Sequence, residues 1–226
     1  MRTILLFLCL GQLLPAFAQT PEADLRKVLE LLTGSEQLYY ENLFYYYESG
    51  ETKPSDTLNG TFHRNGKQEY VQMGQTEVLD TGTRTVIVDH DERIVAVRQS
   101  TQTLPLDKMI DAEQMLGLVE TRQLEVRYSD TKSPGLTLIV TDKQRPGETM
   151  EIRFDPMTTI VQQIKITGSD PFVDPLVEKA GQVTIEVRYV NVTTAPRPFG
   201  HTLGQYVVQK GDKYVPIGKC KGYTLM

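Results

Sequence analysis

The chain is poor in cysteine, in clustered positive charge and in long apolar runs, and each shortage closes off a class of explanation. Of 226 residues only Cys9 and Cys220 are cysteines. Cys9 falls in a segment read below as a removable leader. Cys220 alone then persists, so no internal disulfide can form even in an oxidising compartment. A single thiol of this kind is expected as a small buried hydrophobe. Lys and Arg number 24 against 29 Asp and Glu, a formal charge of -5. The nearest approach to a basic cluster is Lys210, Lys213, Lys219 and Lys221, spread along predicted strand edges. That spread argues against a nucleic-acid footprint and suits strands guarded against stray pairing. No stretch reaches the ~20 consecutive apolar residues needed to span a bilayer as a helix.

Recognisable catalytic chemistry is also missing. There is no Gly-x-Ser-x-Gly elbow, no His-Glu-x-x-His and no phosphate-cradling glycine loop. His63, His90 and His201 stand far apart in the chain without metal-ligand spacing. Asp89-His90-Asp91-Glu92 reads as a polar hairpin turn between two strands. No enzyme activity, no metal and no cofactor is therefore expected.

What the chain does carry begins with a leader. Arg2 supplies a positive end, Ile4 to Leu10 an apolar run, and Ala16-Phe17-Ala18 a small-x-small cleavage site. Cleavage is expected after Ala18, which makes the protein exported: periplasmic in a Gram-negative host, extracellular otherwise. Leu8 before Cys9 is the wrong residue for lipoprotein processing. Residues 19–226 are then long enough to fold as one β-rich domain.

Pro21, Glu22, Asp24, Leu25, Val28, Leu29, Leu31 and Leu32 predict an amphipathic helix with acidic residues in its first turn, ended at Gly34. From Gln37 the period changes to two, and Tyr39, Tyr40, Phe44, Tyr45, Tyr46 and Tyr47 place rings on both sides of one strand. Such a strand is either sandwiched or lines a cavity with one face. Short strands follow to Arg98, separated by turn residues. Asn65-Gly66 predicts a type I′ hairpin. Leu106 to Val119 predicts a second amphipathic helix, with Pro105 at its start.

An apolar-Glu-apolar-Arg-apolar pattern then occurs three times, at Leu124 to Tyr128, Met150 to Phe154 and Ile185 to Tyr189. Each copy is a half-buried strand with its apolar residues on one side and Glu and Arg in water. The copies report one sheet with one apolar face. Glu and Arg opposed on neighbouring strands would add only ~0.2–1 kcal/mol per pair. A last hairpin spans about 205–217 around Gly211-Asp212, its second strand demoted by Pro216. Irregular stretches remain at Gly168 to Gly181 and Thr193 to Gly200.

The order helix, Leu124 to Tyr128, Leu136 to Val140, Met150 to Asp155, Gln162 to Thr167 and then Gly181-Gln182-Val183-Thr184-Ile185 resembles the periplasmic outer-membrane lipoprotein carriers, the lipoprotein-sorting proteins with the LolA-like fold. Gly60-Thr61-Phe62 and the N-terminal helix extend the likeness over most of the mature chain; the final hairpin departs from it. The resemblance implies an α+β, mainly antiparallel fold: a curled sheet or incomplete β-barrel covered by two or three short helices. In those carriers an arginine on an early strand controls the lid, and Arg64 lies in about that region without matching surroundings.

The expected function is a non-enzymatic carrier for an acyl chain, lipid or lipoprotein in the concave face. Its candidate lining residues are Phe44, Tyr46, Val126, Tyr128, Ile152, Phe154, Val187 and Tyr189, with Met109, Ile110 and Met115 as lid candidates. Tight helix packing would make the same lining residues plain core. The alternative is an adaptor of a cell-envelope assembly that binds a protein partner through the 168–181 loop or a free strand edge.

Overall fold

The computed structural model describes residues 20–100, 117–118, 120–121, 123–130, 135–145, 147–169 and 182–226. The expected leader, nearly all of the 106–119 helix and the 170–181 loop lie outside them. Helix α1 spans Pro21–Gly34. The Thr20 hydroxyl accepts the Ala23 N–H at 3.2 Å as its N-cap, and Pro21 fits a first turn that has no carbonyl to meet.

Two antiparallel meanders make the sheet. The first comprises β1 (Gln37–Tyr47), β2 (Asp56–Asn65), β3 (Gln68–Met73), β4 (Thr76–Asp80), β5 (Arg84–Asp89) and β6 (Ile94–Gln99). The second comprises β7 (Leu124–Tyr128), β8 (Leu136–Asp142), β9 (Thr149–Phe154), β10 (Val161–Ser169) and β11 (Gln182–Thr193). They join where β11 pairs with β1. A ribbon of β12 (Val207–Lys210) and β13 (Lys213–Pro216) follows, and β14 (Thr224–Leu225) adds in parallel to β6. Among the described residues the result is a curled sheet of 12 strands in the order β14-β6-β5-β4-β3-β2-β1-β11-β10-β9-β8-β7, with β14 and β7 at its ends. Among the described residues no helix is long and apolar enough to cross a membrane.

One face of the sheet packs on α1. Leu25, Val28 and Leu29 are at most 1% exposed and sit on Val126, Leu138, Val140, Ile152, Phe154, Val161 and Ile164. Leu31 touches a second cluster on the same face, Leu38, Tyr40, Phe62, Val71 and Val78. On the opposite side the C-terminal tail, residues 194–226, covers β3 to β6. Tyr206, Val207 and Cys220 bury Tyr70, Leu79, Val86, Val88 and Val95 there.

Three expectations change in the structure. The single apolar face holds for β7 to β11, but β3 to β5 are buried on both sides, as the runs Val78-Leu79 and Val86-Ile87-Val88 permit. The β2–β3 turn is centred on Gly66 and Lys67: Asn65 pairs with Gln68, and only Gly66 has a positive φ, 59°. Glycine at the first central position makes this a II′ rather than an I′ hairpin. Finally, the three Glu-Arg strands are β7, β9 and β11, separated by β8 and β10, so their charges are never directly opposed. Lys165 reaches Glu151 at 3.9 Å instead, and Arg188 turns to Glu186 on its own strand.

Candidate functional site

The period-two registers align apolar side chains into rows across the helix face. One row runs Tyr128, Leu138, Ile152, Ile164, Val187, Phe44, Leu58, each directly opposite the next. A parallel row runs Val126, Val140, Met150, Ile166, Ile185, Tyr46. α1 closes over the β7–β10 end of these rows, where Leu138, Ile152 and Ile164 are at most 1% exposed. Towards the centre of the sheet the cover thins. Met150, Ile166, Ile185, Phe44, Tyr46 and Leu58 are only half-buried.

The eight lining residues expected from sequence all fall on this face, but not in one environment. Val126, Ile152, Phe154 and Val187 are buried, the first three in the cluster under α1. Tyr128 and Tyr189 are partly buried against that cluster. Phe44 and Tyr46 belong to the half-buried strip. Leu58, Met150, Ile166 and Ile185 join Phe44 and Tyr46 there, and parity alone could have found them. Met109, Ile110 and Met115 lie outside the described residues.

Two polar ties fix α1 to the sheet. Arg64, on β2 and 8% exposed, donates from one nitrogen to the Leu32 and Thr33 carbonyls at 3.0 Å each, and its Nε pairs with Glu69 at 2.5 Å. A cation at the carbonyl end of a helix opposes the negative end of its dipole. At the other end the Tyr128 hydroxyl donates to Asp24 at 2.9 Å. Burial, and then the hydrogen bond to Asp24 and its charge, push the Tyr128 phenol up to about 12.

Asn42 is the polar exception in the apolar floor. It lies between Tyr40 and Phe44 on β1, opposite Tyr189 on β11 and Gly60 on β2, and is 5% exposed. Its amide oxygen is buried without a hydrogen-bond partner.

The tail face carries a cluster that sequence order concealed. Glu77 on β4 is 5% exposed and accepts hydrogen bonds from Tyr206 at 2.6 Å and Tyr70 at 3.0 Å, with His90 Nε2 at 2.7 Å and Lys219 at 3.3 Å. Burial would raise this carboxyl; the hydrogen bonds from Tyr206, His90 and Tyr70, with the Lys219 charge, outweigh it and hold the pKa at about 2. His90 does sit in the expected β5–β6 turn, yet its Nδ1 also meets the Tyr223 hydroxyl at 2.9 Å. His63 and His201, 138 positions apart, come to 6.2 Å between ring centroids beside Phe199. His201 stacks on Tyr70 at 3.5 Å. Burial lowers the pKa of both histidines. Both Glu77 oxygens are engaged and no open coordination set forms: among the described residues no group of His, Cys, Asp and Glu is placed to hold a metal. This is a staple for the tail, and Cys220 lies fully buried beside it.

No family model matches the chain, and no curated protein matches its sequence. Solved structures do show likeness. A complex of MucA and MucB from Pseudomonas aeruginosa aligns at 16% identity and TM-score 0.46 over 87% of this chain and 63% of the matched one. A structure of MucB aligns at 15% identity and TM-score 0.43, over 86% and 66% of the two chains. A DUF1329 family protein from Desulfovibrio piger aligns at 12% identity and TM-score 0.33, over 81% and 95%. The chain thus spans less than two thirds of the length of the MucB-containing matches.

Proposed function

We propose that this is an exported, non-enzymatic binding or carrier protein that holds an apolar ligand, an acyl chain or lipid, on the helix face of its sheet. One observation carries the reading: the apolar rows continue unbroken past the edge of α1, leaving the strip Met150, Ile166, Ile185, Tyr46, Phe44 and Leu58 half-buried. From β9 to β1 the strip crosses three strand intervals, about 14 Å at the usual spacing. An alkyl chain laid along it gains about 0.8 kcal/mol per methylene removed from water. Single exposed apolar residues are ordinary, whereas a contiguous apolar band on one face marks a binding surface. The leader motif at residues 1–18 supports export.

Native mass spectrometry of protein purified from its host, with extraction and identification of retained small molecules, tests the reading. A reproducible lipid adduct, lost in Ile185→Asp, is the expected result. Clean apo-protein that also ignores the neutral apolar probe 1-N-phenylnaphthylamine would overturn it. A second reading, an envelope adaptor, draws on the β7 edge. Among the described residues Leu124–Tyr128 ends the sheet with one antiparallel neighbour, and no strand pairs with its outer side, the kind of edge to which a partner strand adds.

A further inference from the structure

Asn42 is at odds with its surroundings. It occupies an inward position of β1 where the alternation Leu38, Tyr40, Phe44, Tyr46 calls for an apolar residue. A buried amide oxygen without a donor is costly, and native structures rarely leave one without a reason. The floor around it is shaped to keep it. Gly60 lies directly opposite, and a Cβ at that position would collide with the Asn42 amide oxygen. Gly60 has no positive φ that would demand glycine for backbone reasons; the space for the amide is what the missing side chain provides.

The other cross-strand neighbour strengthens the case. Tyr189, opposite Asn42, packs edge-on against Tyr40 at 5.1 Å, and Tyr40 stacks on Phe62 at 4.9 Å. The Tyr189 side chain touches both core clusters of the helix face, so Asn42 stands at their junction, next to the half-buried strip that starts at Phe44. Burial by itself raises the Tyr189 phenol. One acceptor, the Asn42 amide oxygen, thus lies unpaired in an aromatic setting.

We infer that Asn42 is a specificity residue: its amide oxygen accepts a hydrogen bond from an N–H or O–H group carried beside the apolar chain of the ligand. The inference rests on the helix face being the binding face. It selects a neutral amphiphile with a donor, such as an amide-linked or hydroxylated acyl chain. It selects against a free fatty-acid anion, which has no donor and would bring an unpaired negative charge to an oxygen lone pair.

The test uses two probes of equal length and shape, N-dodecylacetamide and dodecyl acetate, of which only the first has a donor. Their dissociation constants are read by displacement of 1-N-phenylnaphthylamine from the full-length mature protein. Wild type should prefer the amide by about tenfold, the worth of one net hydrogen bond. Asn42→Leu should bind both probes alike and unfold at a higher temperature because a buried unpaired oxygen is gone. Gly60→Ala, which evicts the amide without touching its chemistry, should also erase the preference. Equal binding of both probes by wild type, or an unchanged preference in Asn42→Leu, would overturn the role of Asn42 while leaving the binding face intact. Failure of both probes to bind wild type would instead remove the binding face itself, and this inference with it.

Discussion

Replacing Glu77 by Gln is the sharpest probe of how the tail is held. The carboxyl pKa falls from 4.5 to about 2 in the fold. At about 1.4 kcal/mol per unit, that depression is worth about 3 kcal/mol at neutral pH. The sign follows from linkage. A folded pKa below the unfolded one gives stability that is fully present above pH ~4.5 and drains away as pH falls towards about 2. Glu77→Gln should therefore unfold about 3 kcal/mol more easily at pH 7, a fall in melting temperature of roughly 6–12 °C for a chain of this size. The gap between wild type and variant should close progressively below pH ~4.5. Denaturant titrations of both proteins at several pH values measure the gap. Hydrogen exchange across residues 194–226 locates the loss, which should concentrate in the tail and spare α1. A variant within 1 kcal/mol of wild type at pH 7, or a gap that does not narrow in acid, would refute the view that the charged Glu77 holds Tyr70, Tyr206, His90 and Lys219 together.

Arg64→Met should lower stability by about 2–4 kcal/mol, since it strips two helix carbonyls and Glu69 of a nearly buried partner; faster amide exchange in Pro21–Gly34 than elsewhere is the readout. Tyr128→Phe should cost about 1.5–3 kcal/mol, the range for a hydrogen bond to a charged group, and should remove a phenol titration near pH 12 from the ultraviolet spectrum. His63 and His201 have lowered pKa values, so the unfolded chain takes up their protons first and stability should fall as pH drops below ~6.5. Melting curves from pH 7.5 to 5 should show that decline, and a double His63→Phe, His201→Phe variant should flatten it.

The comparison of sequence with structure turns on which side chains decide locally. Period-two alternation at Leu124 to Tyr128, Met150 to Phe154 and Ile185 to Tyr189 is a local property, because each strand's pleat sends alternate residues to opposite sides whatever its neighbours are. It placed all eight candidate lining residues on one face before any partner strand was known. The amphipathic stripe of α1 and the β12–β13 hairpin were legible for the same reason.

Alternation cannot say how far cover extends over a face. That a helix buries Ile152 but leaves Ile185 half-covered depends on where α1 comes to rest, and Arg64 and Tyr128 decide it from a central strand and an end strand of the sheet. The staple at Glu77 was hidden for the same cause. Its partners lie 7, 13, 129 and 142 residues away, and nothing in a surface-like Thr-Glu-Val announces that a tail returns to cover it. Local pattern thus determined most strands and the apolar face of β7 to β11. Closure of the chain on itself decided which apolar residues remain half-buried, and which polar atoms, Asn42 among them, are left without a partner.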